Sequence, residues 1–536
     1  MRWLVCSLLL ATACGDDDPT LEASTHGDGG VSHDTSPDAG GTIAADGARV
    51  FTIECGSTTD VTFEESEVVR FELRCAQPLE VVRMPEGATF DGAWLRWQPD
   101  LAAAGPFTIE LQHGDSRTLV RGFVLDRFDA PGNQLVENHA EYTYEHGLPV
   151  VHLRWHSTDP GYCRDAVARD SVPADIMVLG HAYEGAELRC RGKTSIAFPK
   201  KNFSLRFSKR DPFHAPPGLE RFEGARRLSL TQTFDDNSQI RTRMSLELHR
   251  RLDAENVYLD HASVVVFVDG AYHGLYQLTD NVGLHFLARR GLDDDEDTAQ
   301  IFKSVDHRGN YRTTWNGQLK SDLSLGFEKD EGEPEDDFSG LFELLRYVSD
   351  TTDADFVAGF DTMLRGDDFL DWYLFTTALI AEDNYAKNSY VYRDTDGPDT
   401  RFRYIPWDLN ESWGQNWYTG RVLALSDTAF PALLANRNGI FARIVAIPAL
   451  RARLRQRMQS ALKGPMAKAE VLALFDRLRA EVALSARRDD RRWDAERRAY
   501  PLFASREDFT TFDEEMVYMR TWIELRWSWL EALYFP

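Results

Sequence analysis

Two short runs concentrate the side chains that phosphate chemistry needs. The first is Glu382-Asp383-Asn384-Tyr385-Ala386-Lys387-Asn388-Ser389-Tyr390-Val391-Tyr392-Arg393-Asp394, and the second is Arg403-Tyr404-Ile405-Pro406-Trp407-Asp408-Leu409-Asn410. Phosphoryl transfer requires a carboxylate to orient the attacking hydroxyl and receive its proton, oxygen ligands for a divalent ion, and a cation on the phosphates. Asp383 suits the first task, Asn388 and Asp408 the second. Asp and Asn also populate turns for conformational reasons alone, so the pair carries weight only through the elements around it.

Those elements have a definite order. Phe369 to Ala381 has apolar residues at helical spacing, Tyr390-Val391-Tyr392 reads as a strand, and a turn and a second strand then lead to Asp408. This order puts Asp383 and Asn388 in a loop and Asp408 at a strand end, where a rigid scaffold can aim carboxylates into a cleft. Four residues separate Asp383 from Asn388, the spacing between the base and the metal-ligand asparagine in a protein-kinase catalytic loop.

Further motifs extend the pattern. Arg189-Cys190-Arg191-Gly192-Lys193-Thr194-Ser195 is followed by Pro199-Lys200-Lys201-Asn202-Phe203-Ser204-Leu205-Arg206-Phe207, then by Asp236-Asn237-Ser238-Gln239-Ile240-Arg241, then by Val266-Phe267-Val268-Asp269-Gly270-Ala271-Tyr272-His273-Gly274-Leu275-Tyr276-Gln277-Leu278. In this order, over residues 175 to 414, they resemble the spore-coat CotH kinase family, a divergent protein-kinase-like fold. The resemblance implies ATP and Mg2+ or Mn2+ as cofactors, Asp383 as the catalytic aspartate, and Asn388 and Asp408 as metal ligands. It gives Lys201 or Arg206 to the nucleotide phosphates. Arg191 and Lys387 are further candidates, with a surface role as the alternative. There is no Gly-rich loop, Ala381-Glu382 precedes Asp383, and Leu409-Asn410 follows Asp408; CotH proteins share these departures from ordinary protein kinases.

Other chemistries fit less well. Gly192-Lys193-Thr194 ends like a phosphate-binding P-loop, but Glu187 stands where the first glycine belongs. The acidic runs Asp293 to Asp297 and Glu328 to Asp337 lack the alternating ligands and glycine of a calcium loop and read as solvated loops. The histidines have no metalloprotease spacing, and no nucleophile elbow appears. With 86 acidic and 60 basic residues and a formal charge of -26, the chain repels nucleic acid and anionic lipid.

At the amino terminus, Met1-Arg2-Trp3 precedes a short apolar run and Ala11-Thr12-Ala13-Cys14, then Gly15 and three aspartates. This layout is that of an export signal and resembles a lipobox, which makes Cys14 the lipidation site and anchors the chain to the bacterial envelope, at the outer membrane or cell surface. Once Cys6 and Cys14 are set aside, four cysteines remain, and the predicted pairing in an exported chain is Cys55 with Cys75 and Cys163 with Cys190.

The predicted organisation is a signal over 1–14, a disordered stalk over 15–46, an all-β sandwich over 47–128 that resembles cadherin-like immunoglobulin modules, and an α+β, atypical kinase-like CotH domain over 135–536. Helices are expected from Ile440 to Lys463, Glu470 to Arg487 and Asp513 to Leu533, the last with Met516, Met519, Trp522, Leu525, Trp529 and Leu533 toward the core. The function implied is phosphorylation of Ser/Thr hydroxyls on surface or envelope proteins. The alternatives are a catalytically silent scaffold in adhesion or coat assembly, and transfer of the nucleotide itself.

Overall fold

The computed structural model describes residues 41–75, 78–100, 103, 105–114, 116–125, 142–159, 162–163, 170–425, 436–503 and 506–535. Cys14 and most of the predicted stalk lie outside them. The stalk's last residues do not stay apart from the fold: Thr42–Ile43 pairs with Arg49–Glu54 as an edge strand.

Residues 42–125 form two sheets face to face. One has five strands and contains Arg49–Glu54, Val69–Arg74 and Trp94–Trp97; the other has four and contains Thr58–Glu64, Gly105–His113 and Ser116–Leu125. Alternation along Arg49–Glu54 and Val69–Arg74 turns Phe51, Ile53, Phe71 and Leu73 inward, onto Phe63 and Trp97. The Cys55–Cys75 disulfide closes a loop with a sequence separation of 20, a constraint on the unfolded chain of about 3 kcal/mol.

From residue 142 the chain is mixed. Strand Leu148–Trp155 pairs in parallel with His261–Val268 and antiparallel with Val172–Val178, so a nine-stranded sheet closes on itself. Its inner face holds Leu153, Ile176, Leu188, Phe203, Leu230 and Leu278. The Asp269-Gly270 turn takes φ of 52° and 79°, the left-handed geometry that lets a two-residue loop follow strand twist. Cys163–Cys190 ties the segment before strand Val172–Val178 to strand Glu187–Arg191.

A four-stranded antiparallel sheet follows, in the order Phe327–Glu331, Ala299–Ser304, Ser389–Asp394, Arg403–Pro406. Helices from Arg241 onward pack on it and on part of the larger sheet to form the main core. The expected helix from Ile440 to Lys463 is two helices, Gly439–Ala446 and Pro448–Lys463, because Pro448 disfavours helical backbone at Ile447. The next is longer than expected, Lys468–Ala499. The last, Phe512–Tyr534, opens on a Thr511/Glu514 capping box. Its buried stripe departs from the expected one: Met516, Met519 and Trp522 are buried, but Ile523, Trp527 and Leu530 continue it, while Leu525 and Leu533 are exposed.

Candidate active site

Helix Gly366–Leu379 ends at Ile380, whose φ is 52°, and the chain turns at once into the short 3-10 helix Glu382–Asn384. Asn388, Asp408, Trp413 and Thr419 also have positive φ. Left-handed backbone at non-glycine residues costs of order 1–3 kcal/mol each and collects where a site needs it. Here it reverses the chain around Asp383 and aims Asp408 out of its strand end.

Asp383 is nearly buried. Its Oδ2 accepts from Asn388 Nδ2 at 2.8 Å and pairs with Lys387 Nζ at 2.6 Å; His307 Nε2 stands 4.0 Å from Oδ1. The Asn388 amide that donates to Asp383 leaves its own Oδ1 available as a ligand. Burial opposes the charge on Lys387, but Asp383, Glu411 and Asp408 outweigh it and hold the ammonium above its ordinary range.

Asp408 is solvent-accessible, yet protein surrounds it closely enough that desolvation, then the Asp383 charge, raises its carboxyl pKa. Glu411 is raised well above the usual range by burial and by Asp383 and Asp408, and its Oε2 is buried with no hydrogen-bond partner. Asp235 joins the group: burial, then Asp408 and Asp236, push it up to about 7, and its Oδ2 accepts from Asn410 Nδ2 at 2.8 Å. Three raised carboxylates, Asp408, Glu411 and Asp235, one with an orphaned buried oxygen, stand with Asp383 as a donor set that fits a hard divalent cation.

Arg191 leaves the outer face of the nine-stranded sheet and lies over the Trp407 ring, 5.0 Å from its centroid, within electrostatic reach of Asp408. Lys303 lies over Tyr390 and the same Trp407, at 5.4 and 5.8 Å, also within reach of Asp408. Burial lowers the pKa of both, as expected of cations held in partly dry surroundings. Asp330, in the acidic run read as a solvated loop, is instead on strand Phe327–Glu331 and near both.

The other two predicted phosphate contacts are elsewhere. Lys201 shares the inward pleat face with Phe203 and Leu205, and its Nζ donates to Ile196 O at 2.8 Å. Arg206 lies on the outer face with Asn202, but at the strand's far end, in an exposed pair with Glu187 at 3.2 Å. The structure thus brings together Asp383, Asn388, Asp408, Lys387 and Arg191, and leaves Lys201 and Arg206 outside that group.

The motifs also have structural work. Arg241 is fully buried between Asp236 and Glu515, and its Nε donates to Ser412 O at 3.1 Å. It therefore clamps the 409–412 segment that carries Glu411. Asn384, which sequence reasoning passes over, has its Nδ2 2.7, 3.1 and 3.2 Å from the carbonyl oxygens of Trp407, Asp408 and Asn388. A cavity of about 480 Å³ lies among Arg221, Arg243, Arg250 and His261, where Glu247 and Glu481 pair with the arginines.

Residues 188–530 match the family described as CotH kinase protein. The chain is also 25% identical to the inner spore coat protein H of Bacillus subtilis (strain 168) over 358 residues, 65% of this chain and 92% of that protein.

Proposed function

The chain belongs to the CotH kinase protein family, and on that premise we propose that it transfers the γ-phosphate of ATP to Ser/Thr hydroxyls of surface or envelope proteins on an atypical kinase-like fold. One observation carries the reading: Asp383, fixed by Asn388 and Lys387, acts with burial to raise the carboxyls of Asp408 and Glu411, and Asp408 in turn raises Asp235.

In this mechanism Asp383 orients the substrate hydroxyl and takes its proton as the oxygen attacks the γ-phosphorus and the bond to ADP breaks. Arg191 and Lys303, held over Trp407, meet the phosphates. Asn388 and Asp408, with Glu411 and Asp235 beside them, would hold Mg2+ or Mn2+, which when bound would supply positive charge against the phosphates. The Asn388 and Lys387 contacts keep Asp383 aimed.

The test is incubation of the full chain with Mg2+ and ATP labelled in the γ or the α position, beside Asp408→Ala. Transfer of γ label alone, lost in Asp408→Ala, is expected. Equal γ label from both proteins ends the reading, and α label on the target means that the nucleotide itself moves.

A scaffold role in adhesion or coat assembly is the second reading, favoured by the all-β unit that precedes the family's region. A melting temperature unmoved by Mg2+ and ATP would support it. In either case we propose that the chain is exported and lipid-anchored at Cys14, with no nucleic-acid partner.

A further inference from the structure

We propose that His181, Asp211 and His214 form a binding site for a divalent transition cation of the zinc type, distinct from the carboxylate cleft. His181 Nε2 lies 3.2 Å and His214 Nε2 3.1 Å from the same oxygen, Asp211 Oδ1. One ligand atom from each residue falls within 4.8 Å of the others. Ligands bound tetrahedrally at about 2.0–2.1 Å stand roughly 3.3 Å apart, so both histidine–aspartate spacings already suit an ion.

The surroundings fix the three groups before any ion arrives. The hairpin turn at Leu179-Gly180, with φ of 48° and 80°, puts His181 opposite Val178 at the sheet edge. Asp211 Oδ2 accepts the Glu184 amide at 2.7 Å, and the Asp211 amide donates to Ser208 Oγ at 3.1 Å. The Tyr183 hydroxyl donates to the His214 carbonyl at 3.1 Å, while its ring lies edge-on to His181 with centroids 4.5 Å apart. Glu223 accepts the Ala215 amide and has Oε1 3.9 Å from His214 Nδ1, too far for a hydrogen bond as it stands but on the side where an outer carboxylate orients a metal-bound imidazole.

Both histidines are exposed, so an ion can enter, and a fourth position stays open to water. Imidazole nitrogens favour zinc, copper or nickel, whereas all-oxygen sites favour magnesium or calcium. The two sites therefore select different ions. An ion here would tie strand His181–Ala182 to the 208–214 segment.

The test is calorimetric titration of the full chain with ZnCl2 in excess Mg2+, which occupies the carboxylate cleft, with Co2+ absorption as a second readout. One equivalent should bind in the unaltered protein and in Asp408→Ala. Affinity should fall at least about 10-fold in the His181→Ala/His214→Ala double variant and in Asp211→Asn. The same zinc isotherm in the double variant, or no saturable zinc binding in the unaltered protein, would overturn the proposal. Loss of binding in Asp408→Ala alone would assign the zinc to the cleft and overturn it as well.

Discussion

The Asn384 side-chain amide stands 3.1 Å from the carbonyl oxygen of Asp408, which joins the 3-10 helix of Asp383 to the strand end of Asp408 through one buried group. The same Nδ2 reaches Asn388 and Trp407, and the Asn384 carbonyl accepts the Trp372 indole at 3.0 Å. Asn384→Leu is expected to separate Asp383, Asn388 and Asp408 while leaving their own side chains unaltered. Leaving buried carbonyls unpaired should cost about 1–3 kcal/mol of stability, read by urea unfolding, and transfer from ATP should fall much further than that loss explains. Full transfer by a folded Asn384→Leu protein would show that the linkage is irrelevant to the site.

Asp383 is expected to matter through proton transfer and orientation. Asp383→Ala should lower the single-turnover rate by about 10²–10⁴-fold while the protein still binds Mg2+ and ATP, seen as a retained shift in melting temperature. Retention of the rate in that variant would remove Asp383 from the chemistry.

The cations separate by position. Arg191→Ala and Lys303→Ala should each raise KM for ATP about 10- to 100-fold, the worth of a charge-assisted hydrogen bond. Arg206→Ala removes an exposed pair with Glu187 and should change KM by less than about twofold. A large effect at Arg206 with none at Arg191 would restore the sequence expectation and displace the geometric one.

How much of this is legible in the sequence follows from what is local. The order of helix, loop, strand, turn, strand and Asp is carried by hydrophobic period, and both disulfide pairings by local spacing, so both can be read in the chain. Lys303, Asp235 and Glu411 are not legible, because each enters the site through tertiary placement from a segment that looks ordinary. Asp235 even adjoins Asp236, whose bonds to Ser238 and Arg241 give the motif a structural reason that hides its neighbour. Lys201 shows the converse: strand pleat sets its face, but nothing local says that the sheet closes and turns that face inward.

Acid–base behaviour should report the carboxylate cluster. Asp235 titrates near 7 in the folded protein against an ordinary value of 3.8, mainly through burial and then Asp408. Between those values the folded state binds more protons than the unfolded one, so stability contributed by this group falls as pH rises. With chelator present, the melting temperature should drop across this window. Asp235→Asn should flatten the slope, and Mg2+ should do so in the unaltered protein. An unchanged slope in both cases would mean that the cluster is not coupled as its geometry implies.

Lys200 and Asp489 form an ion pair buried completely from solvent and nearly 300 positions apart. Lys200 also donates to Leu275 O at 2.7 Å, while Asp489 takes the Leu275 amide at 2.8 Å and Arg497 at 2.9 Å. The long helix Lys468–Ala499 is thereby fastened to the sheet beside Gly274, where a Cβ would lie 2.1 Å from Asp489 Oδ1. Burial lowers the Lys200 pKa to about 8 despite its partner. Lys200→Met should destabilise the protein by about 1–3 kcal/mol, because it removes one of the two cations paired with buried Asp489 and a donor to the Leu275 carbonyl. Adding Asp489→Leu should not rescue it, since Arg497 and the Leu275 amide then lose their acceptor. Denaturant unfolding of the single and double variants decides the point: recovery in the double variant would mean that Asp489 serves Lys200 alone and does not organise the whole junction.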